Sequence, residues 1–156
     1  MMKKTYILLK YIICFALIVF SSLTYADSLS CGETEAIITD AKSSKEAFFN
    51  LTLKNNVIDK SYHFDIQKDF IQIRCEKRDT DDFVLLINHI CSGSGCADFG
   101  NFGIIEAKTG AILLKADQPF SGNLNKAGQI LGKEIKPFSC SKDSGEVCLH
   151  SSIELG

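Results

Sequence analysis

Residues 82–91 read Asp-Phe-Val-Leu-Leu-Ile-Asn-His-Ile-Cys, and the five side chains from Phe83 to Ile87 are all apolar. Successive side chains of a strand point to opposite faces, so a run of this kind must be covered on both sides. The segment therefore predicts the central strand of a sheet. Upstream, Lys77–Asp82 is charged throughout and predicts a solvated hairpin turn back to Phe70–Cys75, where Phe70, Ile71 and Ile73 are apolar. Downstream, Gly103–Ala107 and Ala111–Leu114 flank Lys108, Thr109 and Gly110. A glycine closing so short a turn takes positive φ without steric cost, which predicts a hairpin with a bulge.

The rest of the body is read in the same terms. Ala47–Leu53 and Ser61–Ile66 alternate in polarity, with turn residues at Asn55, Asn56, Lys68 and Asp69, and Val147–Leu155 alternates again. Asn123–Leu131 predicts a short helix capped by Asn123, with Leu124, Ala127 and Leu131 on one side; residues 130–135 offer a strand as the alternative. The expected fold is mainly β: one antiparallel sandwich or strongly twisted sheet, with at most one or two short helices, braced by disulfides.

That domain is expected to span residues 27–156, behind a secretory leader. Met1–Lys10 carries three lysines and no acid, Tyr11–Phe20 is unbroken in its apolarity, and Thr24-Tyr25-Ala26 presents small residues at the positions a signal peptidase reads. A bilayer span needs about 20 apolar residues, more than this run supplies, so cleavage after Ala26 and a periplasmic or secreted location are predicted, with no membrane insertion once the leader is removed. Cys14 lies inside the apolar run and Cys31 well beyond it, so neither suits lipid attachment. Beyond the leader 14 basic residues face 19 acidic ones, a net charge of −5. Nucleic-acid binders usually show a basic stripe, and this balance argues against one.

Export decides how the cysteines are read. Cys31, Cys75, Cys91, Cys96, Cys140 and Cys148 make an even set in an oxidising compartment, where disulfides form. Cys91 and Cys96 enclose Ser-Gly-Ser-Gly, and Cys140 and Cys148 enclose a turn-like segment. Two local bridges leave Cys31 for Cys75, a long loop whose closure stabilises by about 3–4 kcal/mol. Structural zinc prefers paired C-x₂₋₄-C units, and only Cys91 and Cys96 come near that spacing. No metal or cofactor is predicted.

Candidate chemistry is sparse. His63, His89 and His150 all fall in predicted strands, without the spacing of a known catalytic motif. Asp79, Asp81 and Asp82 lack the ladder, glycine and closing glutamate of a calcium loop. Asn50-Leu51-Thr52 matches a glycan acceptor, on a predicted strand. The segment Cys91–Phe102 is the candidate working surface: a tied loop presenting Asp98, Phe99, Asn101 and Phe102 to a protein partner, with inward packing of Phe99 and Phe102 as the alternative. In general make-up the chain is similar to small exported bacterial inhibitors and immunity proteins. The expectation is an exported binding protein that inhibits or neutralises a partner such as a toxin or cell-wall hydrolase. The alternatives are a small hydrolase using His63, His89 or His150, and a structural component of the envelope.

Overall fold

The computed structural model describes residues 26–42, 47–64, 71–89, 100–116, 122–141 and 143–149. In chain order the elements are β1 (Ala26–Cys31), β2 (Thr34–Lys42), β3 (Ala47–Lys54), β4 (Asp59–Phe64), β5 (Ile71–Lys77), β6 (Phe83–His89), β7 (Phe102–Glu106), β8 (Ile112–Leu114), α1 (Leu124–Leu131) and β9 (Val147–Leu149). The first four strands form one antiparallel sheet in sequential order. The others form a second, ordered β8-β7-β6-β5-β9, so the apolar run is the central strand there. The mainly β, disulfide-braced architecture expected from the sequence is the one observed. Among the described residues α1 is the one helix, and no helix is long and apolar enough to cross a membrane. The predicted leader lies outside the described residues up to Tyr25; Ala26 opens β1.

From Val84 to Ile87 the run in β6 is covered on both faces, as its composition requires, while Phe83 at its start stays 41% exposed. Leu85 and Ile87 point toward the first sheet and join Ile71, Ile73 and Ile105 against Leu29, Ala36, Ile38, Phe49, Leu51 and Leu53. Val84 and Leu86 point the other way and join Phe102, Ile104 and Leu114 beneath Ala127 and Leu131 of α1, with Ile135 and Phe138 beside them. The protein therefore has three layers and two cores, divided by the second sheet.

The hairpin β1–β2 goes beyond what the sequence reading predicts, although Leu29/Cys31 and Ala36/Ile38 alternate around Gly32-Glu33. Gly32 has φ +61°, and a Cβ there would stand 2.8 Å from Cδ2 of Phe83. The turn closes tightly only with glycine. The predicted β7–β8 hairpin forms, with Gly110 at φ +66° and a register shift at Ile104/Ile105. Two further expectations need correction. Asn123 precedes α1, but its side chain makes no capping bond; Oδ1 instead accepts from the Phe102 N–H at 2.6 Å while Nδ2 donates to the Phe102 carbonyl at 2.8 Å. The two-point grip on a strand end wins over a helix cap. Leu124 is 41% exposed rather than packed with Ala127 and Leu131.

Cys31–Cys75 and Cys140–Cys148 are bonded; the predicted Cys91–Cys96 bridge lies outside the described residues. Cys31 is wholly buried and joins the two sheets across the first core, closing a separation of 44 residues. Cys140 is exposed and closes a separation of eight. Between these bridges Arg74 pins the C-terminal segment onto the second sheet. Its Nε donates to Glu76 at 2.7 Å, Nη1 to Glu146 at 3.3 Å and to the Pro137 carbonyl at 3.2 Å, and Nη2 to the Lys136 carbonyl at 2.8 Å. The guanidinium carbon lies 4.3 Å from the centre of the Phe138 ring. Arg74 is 7% exposed, so these bonds replace nearly all of its hydration.

Two outcomes follow. Under native conditions a mild reductant followed by alkylation and peptide mass mapping should label Cys140 and Cys148 first. Cys31 and Cys75 should become labelled only as the protein unfolds, and the reverse order would contradict the assigned burial. Replacing Arg74 by alanine leaves half-buried Glu146 without its cation and removes several part-buried hydrogen bonds, and should cost about 2–3 kcal/mol in urea unfolding. Arg74→Lys keeps the charge but loses the fork of donors, and should recover only part of that loss.

Candidate functional site

Four turns meet at one end of the sandwich: Gly32-Glu33 between β1 and β2, Asn55–Val57 between β3 and β4, the end of the β5–β6 turn at Asp81-Asp82, and Lys108-Thr109 between β7 and β8. Together they enclose an open cleft of about 400 Å³, a size that accommodates a small ligand or one or two side chains. The gathering of turns follows from topology, because both sheets are built mainly from consecutive hairpins and lie face to face.

Its floor is tied together by one side chain. Asn55 Oδ1 accepts from the N–H groups of Val57 and Ile58 at 2.7 and 2.9 Å, fixing its own turn. Its Nδ2 donates to Thr34 Oγ1 at 2.8 Å and to the Lys108 carbonyl at 3.1 Å, and Thr34 Oγ1 donates to the Ala107 carbonyl at 2.9 Å. Three of the four turns are thus fixed relative to one another. The fourth is shaped internally: Asp81 has φ +66°, Arg78 pairs with Asp82 at 2.8 Å, and Lys77 with Asp81 at 2.6 Å. Hydrogen bonds from Arg78 and Thr80 hold the Asp82 carboxyl below its ordinary range, against a smaller opposing effect of desolvation. Above this floor Val57 is 72% and Phe83 41% exposed, two of the four large apolar side chains left open to water among the described residues.

The predicted surface residues divide. Asp98 and Phe99 lie outside the described residues, as do Cys91 and Cys96. Asn101 and Phe102 are described and are buried, at 2% and 5% exposure. Phe102 falls on the same row of β7 as Ile104 and completes the second core, and the Asn101 carbonyl accepts from the His89 N–H at 2.9 Å. These two residues therefore anchor the segment rather than present it, which corrects the expectation that they face a partner. The cleft lies at the opposite end of β6. Its sequence signals are modest: Gly32-Glu33 and Asn55-Asn56 read as turns, while Val57 is an apolar residue in a polar turn.

The two described histidines stand in different surroundings. His63 lies on the outer face of β4 with Nδ1 2.9 Å from Asn50 Oδ1, which places the Asn50 of the glycan-acceptor triplet on that face as well. His89 is 6% exposed, its ring 5.7 Å from Phe64, itself stacked on Phe49, and neither ring nitrogen makes a hydrogen bond among the described residues. His150 lies outside the described residues. Among those residues one group stands close enough to hold a metal ion, Cys140, Glu146 and Cys148. Its two sulfurs are bonded to each other, and Glu146 accepts from the N–H groups of Ser139 and Cys140 and from Arg74. Comparison with protein-family models, curated proteins and solved structures returns no match.

Burial lowers the pKa of His89 to about 4 from an ordinary 6.5. The unfolded chain then binds a proton at this site that the folded protein excludes, between those two values. Stability contributed by neutral His89 is complete above about pH 6.5 and declines as pH falls toward 4, by about 3 kcal/mol. Urea unfolding between pH 7 and pH 4 should show a shallower decline for His89→Leu than for the natural protein. Parallel curves would mean that His89 protonates freely in the folded state.

Proposed function

We propose that the protein is an exported, periplasmic or secreted binding protein that neutralises a protein partner, such as a toxin or a cell-wall hydrolase. The observation that carries this reading is the cleft with Val57 and Phe83 exposed over a fixed floor. Apolar side chains held open to water on a rigid frame lose little conformational freedom on binding, which is the economy that recognition surfaces use. The disulfides support export, because such bonds persist outside the reducing cytosol. The leader ending at Ala26 belongs to the same proposal.

A hydrolase is less well supported. Among the described residues His89 is buried with no hydrogen-bonded acid or hydroxyl, the arrangement that general-base chemistry needs, and His63 bonds to an amide. Asp98 and Phe99 stand as a second proposed contact.

Affinity capture from an envelope extract tests the reading. The mature, oxidised protein should retain one partner reproducibly, and Val57→Glu should lose it by about tenfold or more, as expected when a central apolar contact is replaced by charge. Val57 is a turn residue with an open side chain, so the variant should keep its thermal midpoint. Retention by Val57→Glu together with loss in Phe99→Asp would move the contact to the 91–102 loop. Failure to retain any partner would overturn the reading.

A further inference from the structure

Apart from the cleft, we infer that β4 is a self-pairing edge. Two copies of this chain join antiparallel along it, Ser61 against Ser61, and their four-stranded sheets become one continuous sheet. The first sheet ends at β4, whose register against β3 runs from Phe49↔Phe64 to Lys54↔Asp59 without a bulge. Open edges invite another strand, and proteins ordinarily blunt them with bulges, prolines, brevity or cover. The other described edges are blunted. β8 and β9 are three residues long, and β1 packs against β5 and β9 with Cys31 bonded to Cys75. β4 has six residues and no proline. Its side chains also leave the edge clear. On the inner face Lys60 Nζ donates to the Thr109 carbonyl at 3.2 Å, and the Tyr62 hydroxyl to the Gly110 carbonyl. On the outer face Ser61 shares a hydrogen bond with Thr52 of β3 at 2.9 Å, and His63 one with Asn50 at 2.9 Å. Four successive side chains thus lean back over the protein.

The hairpin sets the register of the join. The Asn55 N–H donates to the Ile58 carbonyl at 3.0 Å, which makes these two a hydrogen-bonded pair, and such pairs alternate along an antiparallel ladder. Lys60, Tyr62 and Phe64 therefore turn their backbone groups toward β3, while those of Asp59, Ser61 and His63 point away from the sheet. A second copy must pair through that outward set, with opposed side chains on one face. Centred on Lys60, a two-fold axis would set two ammonium groups face to face. Centred on Tyr62, it would leave Asp59 with no residue of β4 opposite. Centred on Ser61, the two serines exchange N–H and C=O, and the Asp59 carboxylate, an acceptor, comes opposite the His63 imidazole of the second copy. No like charges meet in that register. On the same side of the sandwich the second sheet ends at β8, whose turn carries the acceptors for Lys60 and Tyr62. Ile112 of β8 is 49% exposed, and the same axis turns the two copies of this apolar edge toward each other.

Sedimentation of the mature, oxidised protein over a range of concentrations, read together with amide hydrogen exchange, tests this. A dimer should form as concentration rises, and the Ser61 amide should become protected in step with it. The Lys60 and Tyr62 amides, bonded to β3, should stay protected throughout. Ser61→Pro removes an outward N–H without touching the β3 ladder, which is where an edge strand accepts proline. It should weaken the dimer about tenfold or more, through the two backbone bonds lost at the axis. Ser61→Lys places two ammonium groups face to face and should weaken it about fivefold; this variant decides the matter if the proline one loses the native spectrum. A dimer undiminished by these changes, a dimer whose Ser61 amide exchanges freely, or a monomer at every concentration overturns the inference. A monomer whose Ser61 amide is protected only by a captured partner overturns it too, and gives the edge to a foreign strand.

Discussion

Burial of β6 on both faces is the constraint from which the other features follow. A strand with Leu85 and Ile87 on one side and Val84 and Leu86 on the other cannot sit in a sheet that has a wet face. The first sheet supplies one cover and α1 with the C-terminal segment supplies the other. The first cover is held by a covalent bond between Cys31 and Cys75, and the Cys31 sulfur also lies 3.3 Å from the Val84 carbonyl. The second is held by polar contacts: the grip of Asn123 on Phe102 and the several bonds of Arg74. Both polar anchors are buried, where a lost partner costs more than it would at the surface.

The two covers therefore differ in kind. Removing a disulfide changes mainly the freedom of the unfolded chain, whereas disturbing Arg74 leaves charges stranded inside the folded one. Glu146 belongs to the second: it accepts from Arg74 and from the N–H groups of Ser139 and Cys140, directly beside the Cys140–Cys148 bridge. Burial acts to raise its pKa, but these hydrogen bonds outweigh burial and hold it below the usual range. The ionised form thereby fastens the last segment against the second sheet.

The β architecture was legible because its signals are local. Five apolar residues in a row, the charged turn before them and Gly110 after Lys108-Thr109 each fix one element without reference to the others. The pairing of Cys31 with Cys75 was legible by elimination among spacings. What was not legible depends on partners distant in sequence. Asn123 reads as a helix cap from its neighbours, yet it bonds 21 residues away to Phe102. Phe102 reads equally well as a surface anchor or as core until Ile104, Leu114 and Leu131 are seen around it. The cleft shares this character, because its four turns are scattered over residues 32–109 and only the stacking of the sheets brings them together. Charge alone marked Asp81 and Asp82 as solvated turn residues, and they are that; that they line one cleft with Glu33 and Glu106 is a property of the fold.

The same stacking explains why the cleft can be both open and rigid. Hairpin turns are ordinarily the most mobile parts of a β protein, and an apolar side chain at their tips ordinarily folds down. Here Asn55 joins its own turn to those carrying Thr34 and Lys108, and Phe83 is held by its position at the start of the most buried strand, with its ring over Gly32. The first core, which includes Leu53, Leu85 and Ala107, is built without Val57 or Phe83. A cleft framed in this way keeps its shape. On the protein-binding reading proposed above, little of the binding energy would be spent on ordering the cleft.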